Sequence, residues 1–158
     1  MTQDRWIIIK YSMRDIGEYD HRSIESKYSK KWVEEAIYHT KDIKKDLRFS
    51  IVIPPPNVTG SLHMGHALNV TLQDIICRWQ RMLGKSVVWV PGFDHAGIAT
   101  QYVVDKKLQG EGKNRLDMGR EKFLKEVWTW VPISRNSIKE QLERIGVSVD
   151  WKRERFTL

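Results

Sequence analysis

At 158 residues the chain is long enough for one domain and its core, burying roughly two-thirds of the surface its unfolded form exposes. Hydrophobic residues make up 41% and charged residues 30%, which excludes a disordered composition. The formal charge of +7 suits a polyanionic partner such as RNA, yet Lys and Arg alternate with Asp and Glu from Lys27 to Glu35 and from Lys139 to Arg144, as on ordinary solvated faces. Along the chain, residues 1 to 20 show no clear period, although Trp6 to Tyr11 suits a short strand. The apolar run Trp6-Ile-Ile-Ile9 is too short for a signal segment or a membrane span, and acidic residues flank it. The single cysteine, Cys77, excludes an internal disulfide or a multi-cysteine zinc site and fits a reducing compartment. A cytoplasmic protein with no targeting segment and no membrane partner is expected.

From Ile24 to Tyr38, apolar residues recur at three- and four-residue steps, which predicts an amphipathic helix with Ser23 as N-cap. A polar connector, His39 to Arg48, follows. Phe49-Ser-Ile-Val-Ile53 is β-branched and stopped by three prolines, the pattern of a short buried strand. Leu68, Leu72, Ile75, Ile76, Trp79, Met82 and Leu83 then form a stripe of helical period, and Gly84 marks its stop. Ser86-Val-Val-Trp-Val90 reads as a second strand. Strand, helix and strand of these lengths make a right-handed parallel βαβ unit, so the fold class is α/β and Rossmann-like. A helix is expected from Gln101 to Leu108, then two more, Arg120 to Trp130 and Ile133 to Ile145, separated by Pro132. The closing run from Gly146 to Leu158 reads as extended.

The run Pro56-Asn-Val-Thr-Gly-Ser-Leu-His-Met-Gly-His66 sits at the mouth of the first strand-to-helix turn. Unpaired N–H groups and the helix dipole make such a turn a natural phosphate site. His63 and His66 have three readings: ligands of a metal with Asp94, His95 or Cys77, ordinary polar or core residues, or donors to a bound phosphate. A metal has no need of the glycine between the histidines or of the polyproline entry. Asp94, just beyond the second strand, is either a turn and cap residue or a carboxylate placed to pair with an ammonium group.

The pairing of Pro-Pro-Pro-Asn with His-Met-Gly-His resembles the signature of the class I aminoacyl-tRNA synthetases. Gly92-Phe-Asp-His-Ala-Gly-Ile-Ala-Thr-Gln101, Gly119-Arg-Glu-Lys-Phe123 and Ser148-Val-Asp-Trp-Lys-Arg-Glu-Arg-Phe-Thr157 narrow the resemblance to the valyl-tRNA synthetases, over roughly residues 22 to 158. The resemblance implies a valine–tRNA ligase that joins L-valine to tRNA(Val) through valyl-adenylate, with ATP as a substrate accompanied by Mg2+. It implies that Thr59, Gly60, His63, Gly65 and His66 contact ATP, with His63, His66 and Thr59 catalytic, and that Gly65 lets adenine lie against the backbone. Pro55, Pro56, Asn57 and Asp94 then form the amino-acid pocket, Asp94 holding the α-amino group. Trp130-Val-Pro-Ile-Ser134 departs from the charged helical stretch usual in the family.

Members of this family are several times longer and usually monomeric. Their second half of the nucleotide fold with its Lys-Met-Ser-Lys-Ser-type loop, their editing insertion and their anticodon-binding region have no counterpart in these residues. The expected organisation is an N-terminal extension, 1 to 48, followed by the N-terminal half of the catalytic domain, 49 to 158. A ligase fragment and a catalytically incomplete nucleotide- or RNA-binding module derived from the same fold both remain open at this point.

Overall fold

The computed structural model describes residues 18–40 and 47–158; the strand expected at Trp6 to Tyr11 and most of the connector before Arg48 lie outside them. Helix α1 runs from His21 to Glu34. Its N-cap is Asp20, whose carboxylate accepts from the Arg22 N–H at 3.1 Å, and not Ser23, whose hydroxyl donates to the Asp20 carbonyl. A carboxylate at the positive end of the helix dipole gains more than a hydroxyl does. The helix stops short of Tyr38 because Ala36 turns to a left-handed φ of 47°.

Strands β1 (Arg48–Val52) and β2 (Ser86–Val90) pair in parallel with Phe49 opposite Val87 and Ile51 opposite Trp89, and helix α2 (Met64–Met82) crosses between them. The two strands differ in burial. β2 buries Val87 and Trp89, and its far side is occupied where the Asp150 N–H donates to the Trp89 carbonyl at 2.9 Å. β1 is not the buried strand expected: its residues alternate between exposed and half-buried, with Val52 65% exposed, because among the described residues it pairs with β2 alone. Ile53, just past it, is buried.

The expected stripe on α2 has the right period and lies on the open side. Leu68, Leu72, Ile75, Trp79 and Met82 are exposed, while Val70, Cys77 and Gln80 face the core. Strand β3 (Gly92–Phe93) leads to helix α3 (Gly97–Gly110), which begins four residues before the expected start, and then to the short helix α4 (Arg115–Met118). Helix α5 (Arg120–Ile145) is one helix, not two, and carries Pro132 inside it. Proline costs one backbone donor. The helix continues because Val131, Ser134, Ile138 and Leu142 form a single buried stripe across that point.

The closing run is a 3₁₀ turn at Trp151–Arg153 and then strand β4 (Arg155–Phe156), which pairs in parallel with β3. The main core gathers Ile53, Val58, Trp89, Phe93, Ile138 and Leu142 between the strands, α2 and α5; a smaller one joins Val104, Leu108 and Phe123. Helix α1 is tied on by the Ser29 hydroxyl, which donates to the Glu143 carbonyl at 2.7 Å, and by His39 against the buried Asp150 at 3.0 Å. Among the described residues no helix is long and apolar enough to cross a membrane.

Candidate functional site

Two strand-to-helix junctions meet at the carboxyl ends of β1 and β2, the edge at which open α/β sheets receive ligands. At the first, His63 is the N-cap of α2, and its Nδ1 accepts from the Gly65 N–H at 3.1 Å. His66 answers it: its Nδ1 accepts from the His63 N–H at 3.2 Å. A reciprocal cap of this kind satisfies two N–H groups that the helix start leaves unpaired. Because both Nδ1 atoms accept, each ring carries its hydrogen on Nε2. The rings lie 4.0 Å apart, and burial first and the neighbouring His63 second pull the His66 pKa below the ordinary histidine value. The junction therefore offers neutral N–H donors at the positive end of a 19-residue helix.

Gly65 is required by this arrangement. A Cβ there would lie 2.9 Å from Cε1 of His63, so any side chain must push the capping ring aside. Gly60 has a different need, a φ of 154° that side chains rarely adopt. Residues 54 to 57 and 59 to 63, with Gly65, His66 and Asn69, line one open cleft of about 860 Å³. Thr59, Gly60, His63, Gly65, His66, Pro55, Pro56 and Asn57 are thus together, with Pro56 buried beneath the cleft and Pro55 and Asn57 exposed.

Asp94 is not in the wall of that cleft, but it is bound to it. The Val58 N–H donates to the Asp94 carbonyl at 3.0 Å and the Asp94 N–H to the Pro56 carbonyl at 2.9 Å, a parallel bridge that aligns Asn57 with Asp94. The Asp94 side chain closes the turn at the second junction, where Ala96, at a left-handed φ of 43°, is the N-cap of α3 and that helix start has no side-chain cap bond. Its Oδ1 accepts from the Ala96 N–H at 2.8 Å and from the Thr157 hydroxyl at 3.2 Å. The Ala96 bond foremost, outweighing partial desolvation and aided by Thr157 and His95, holds this carboxyl below the usual aspartate range. Of the two expectations for Asp94, the turn role is the one seen directly, in the bond from the Ala96 N–H to its Oδ1.

Sequence reasoning missed the residues that brace these junctions. From α5, the Trp130 indole Nε1–H donates to the Val58 carbonyl at 2.9 Å, and the Gln141 side-chain oxygen accepts from the Leu62 N–H at 2.9 Å. They lie eleven residues apart, three helical turns, and hold both ends of the loop that carries Thr59 and Gly60. Thr157 and His95 brace Asp94 in the same sense. Trp130 is half-buried on α5, and nothing local to it in the sequence names the carbonyl that it meets.

The model of the family described as tRNA synthetases class I (I, L, M and V) matches residues 27–158. The chain is 69% identical over 144 residues to a valine–tRNA ligase of Aquifex aeolicus, covering 91% of this chain and 12% of that protein. It is 55% identical over 140 residues to a valine–tRNA ligase of Syntrophotalea carbinolica, covering 89% of this chain and 16% of that protein. The fold matches a solved ternary complex, Agrobacterium radiobacter K84 agnB2 LeuRS-tRNA-LeuAMS, with a TM-score of 0.69 at 24% identity, over 89% of this chain and 16% of the other. The chain thus spans less than one-fifth of the length of the relatives it matches.

Proposed function

The chain belongs to the class I tRNA synthetases (I, L, M and V), and from that premise we propose that it forms the ATP- and valine-facing wall of a valine–tRNA ligase. The observation that carries the reading is the reciprocal His63–His66 cap beside the Pro55–Asn57 turn, in a chain 52–69% identical to valine–tRNA ligases over about nine-tenths of its length. Residues 49 to 158 are the N-terminal half of the catalytic unit, and residues 1 to 48 extend it.

In the activation step the carboxylate of L-valine attacks the α-phosphorus of ATP, which arrives with its Mg2+, and pyrophosphate leaves. Negative charge grows on the phosphoryl oxygens. The Nε2–H groups of His63 and His66 donate to them without bringing a fixed charge, and the start of α2 adds its partial positive field. Thr59 and Gly60 shape the loop beneath the phosphates, the Thr59 hydroxyl facing them, and the backbone at Gly65 gives adenine a flat surface. Pro55 and Pro56 offer a rigid apolar wall for a small branched side chain, with Asn57 at its rim. Asp94 receives the ammonium group. Transfer of the valyl group to tRNA(Val) completes the reaction, and the net positive charge suits that polyanion. The reaction belongs to the cytoplasm, and the intact enzyme works as a monomer.

The test is valine-dependent ATP–pyrophosphate exchange with the unsubstituted chain and with His66→Ala. Exchange that valine stimulates and that the substitution lowers supports the reading. Exchange that valine does not stimulate above background overturns it for this chain and favours a nucleotide- or RNA-binding module without independent catalysis.

A further inference from the structure

We propose that Thr157 is a positioning residue for Asp94: its hydroxyl fixes one carboxylate oxygen so that the other is free to receive an ammonium group. The proposal rests on the amino-acid reading of Asp94 above. The oxygen Oδ1 is already engaged by two donors, the Ala96 N–H at 2.8 Å and the Thr157 hydroxyl at 3.2 Å. A carboxylate held at one oxygen by two donors cannot rotate freely, and the acceptor capacity of Oδ2 stays open.

Proton counting fixes the direction of each bond. Three groups surround the Thr157 Oγ1: Asp94 Oδ1, the His95 N–H at 3.0 Å and the His95 Nδ1 at 2.5 Å. An ionised carboxylate only accepts, so the single hydroxyl hydrogen points to Asp94. The backbone N–H of His95 donates to Oγ1. For the third contact to be a bond, the His95 Nδ1 also carries a hydrogen and donates to Oγ1, and the same Nδ1 lies 3.5 Å from Asp94 Oδ1 itself, so Thr157 and His95 support that oxygen together. Phe156 lies edge-on to the His95 ring at 6.5 Å and keeps it in place.

The hydroxyl is not needed to hold the strands. β3 and β4 are joined by backbone bonds, from the Arg155 N–H to the Pro91 carbonyl at 3.0 Å and from the Thr157 N–H to the Phe93 carbonyl at 3.2 Å. Arg135 adds a side-chain tie, its guanidinium 5.6 Å from the Phe93 ring and 6.0 Å from the Phe156 ring. Thr157 itself is exposed, so losing its hydroxyl leaves the core intact. Its side-chain contacts run instead to Asp94 and to His95 beside it.

The experiment titrates the 158-residue chain by carboxyl-detected NMR with L-valine, with isobutylamine as an amine lacking the carboxylate, and with ATP. Unsubstituted chain, Thr157→Val, Thr157→Ser and Asp94→Asn are compared. Thr157→Val is expected to weaken valine and isobutylamine binding to the same degree, about fivefold, with ATP binding unchanged and the Asp94 carboxyl titrating at higher pH. Thr157→Ser should restore valine binding to within about twofold, since it returns the donor. Valine binding lost in Asp94→Asn but unaffected by Thr157→Val overturns the proposal and leaves the amino-acid reading standing. Weakening of valine and ATP together, unrelieved by serine, overturns it as a general disturbance. An unsubstituted chain whose Asp94 signal does not respond to valine overturns the amino-acid reading, and this role with it.

Discussion

The β1–α2 and β3–α3 junctions share a topology, a strand turning into a helix at the carboxyl edge of the strands, yet they differ in the sign of the charge that they can receive. At the first, two imidazoles satisfy the backbone through Nδ1 and turn hydrogens outward on Nε2. At the second, a carboxylate satisfies the backbone through one oxygen and keeps the other as an acceptor. A side chain ties the backbone turn in both places. The choice of that side chain decides whether the remaining valence is a donor for an anion or an acceptor for a cation. On the proposed reading, a phosphate would meet the first junction and an ammonium the second, and the Asn57–Asp94 bridge ties the two together.

The sharpest way to break this comparison is to remove one side at a time. His66→Ala deletes a preorganised donor and should lower valine-dependent pyrophosphate exchange by about 10² to 10³ at saturating ATP, the range for loss of one such group, or about 2.7–4 kcal/mol. Asp94→Asn should act through the amino acid instead, raising the valine concentration for half-maximal exchange by about 30-fold while the ATP requirement stays level. If both substitutions shift the same substrate parameter, the division of labour between the junctions is wrong.

A second substitution separates the cap from the site within one residue. His63→Asp keeps an excellent N-cap, so thermal unfolding followed by circular dichroism should move by no more than about 2–4 °C, the equivalent of about 1 kcal/mol in a domain of this size. The carboxylate, however, confronts the phosphates with like charge, and ATP affinity should fall at least tenfold by fluorescence or calorimetric titration. Gly65→Val should not separate the two. It displaces the ring of His63 and should cost both the cap and the nucleotide.

How much of this was readable depends on the range of the contact. The βαβ order, the stop at Gly84 and the grouping of the histidines with Thr59 and Gly60 are local, written in period and turn chemistry, and the structure keeps them. The burial of β1 was misread because alternation and β-branching report that a strand exists, not how many neighbours it has. The stripe from Leu68 to Met82 was read correctly as an apolar face, but its partner is not among the described residues, so exposure could not be inferred from pattern. Pro132 breaks a helix only when burial does not repay the missing bond, and here Val131 and Ser134 stay buried on either side. The Thr157–Asp94 contact spans 63 residues, and no local rule joins them.

Acidity offers a test that affects the two junctions in different pH windows. His66 has a folded pKa below its unfolded value, so the unfolded chain takes up its proton first as pH falls, and the stability that His66 contributes is complete above about 6.5 and lost below it. Asp94 is also depressed, but from an ordinary value of 3.8, so its contribution is complete above that and lost only at lower pH. Between pH 6.5 and pH 5 the nucleotide junction should therefore loosen while the Asp94 junction does not. Hydrogen exchange at the Gly65 and Ala96 amides reads each junction separately, and faster exchange at Ala96 before Gly65 on acidification would reverse the assignment.

The smallest expected effect concerns the brace behind the first junction. Trp130→Phe keeps an aromatic ring beside the second core and removes the Nε1–H that donates to the Val58 carbonyl at 2.9 Å. A single neutral hydrogen bond contributes about 1 kcal/mol, so the global loss of stability should be of that order. Its functional effect should be one-sided. Val58 leads into Thr59 and Gly60, so the loop beneath the phosphates gains freedom and the ATP requirement should rise about two- to threefold, a fraction of the same bond energy. Asp94 is reached by the backbone of Val58 from the other side, through the N–H that donates to the Asp94 carbonyl, and that bond does not involve the indole. The valine requirement should then stay level. An equal rise in both would mean that α5 holds the two junctions as a single rigid unit, and the donor and acceptor halves of the site would have to be treated as one element.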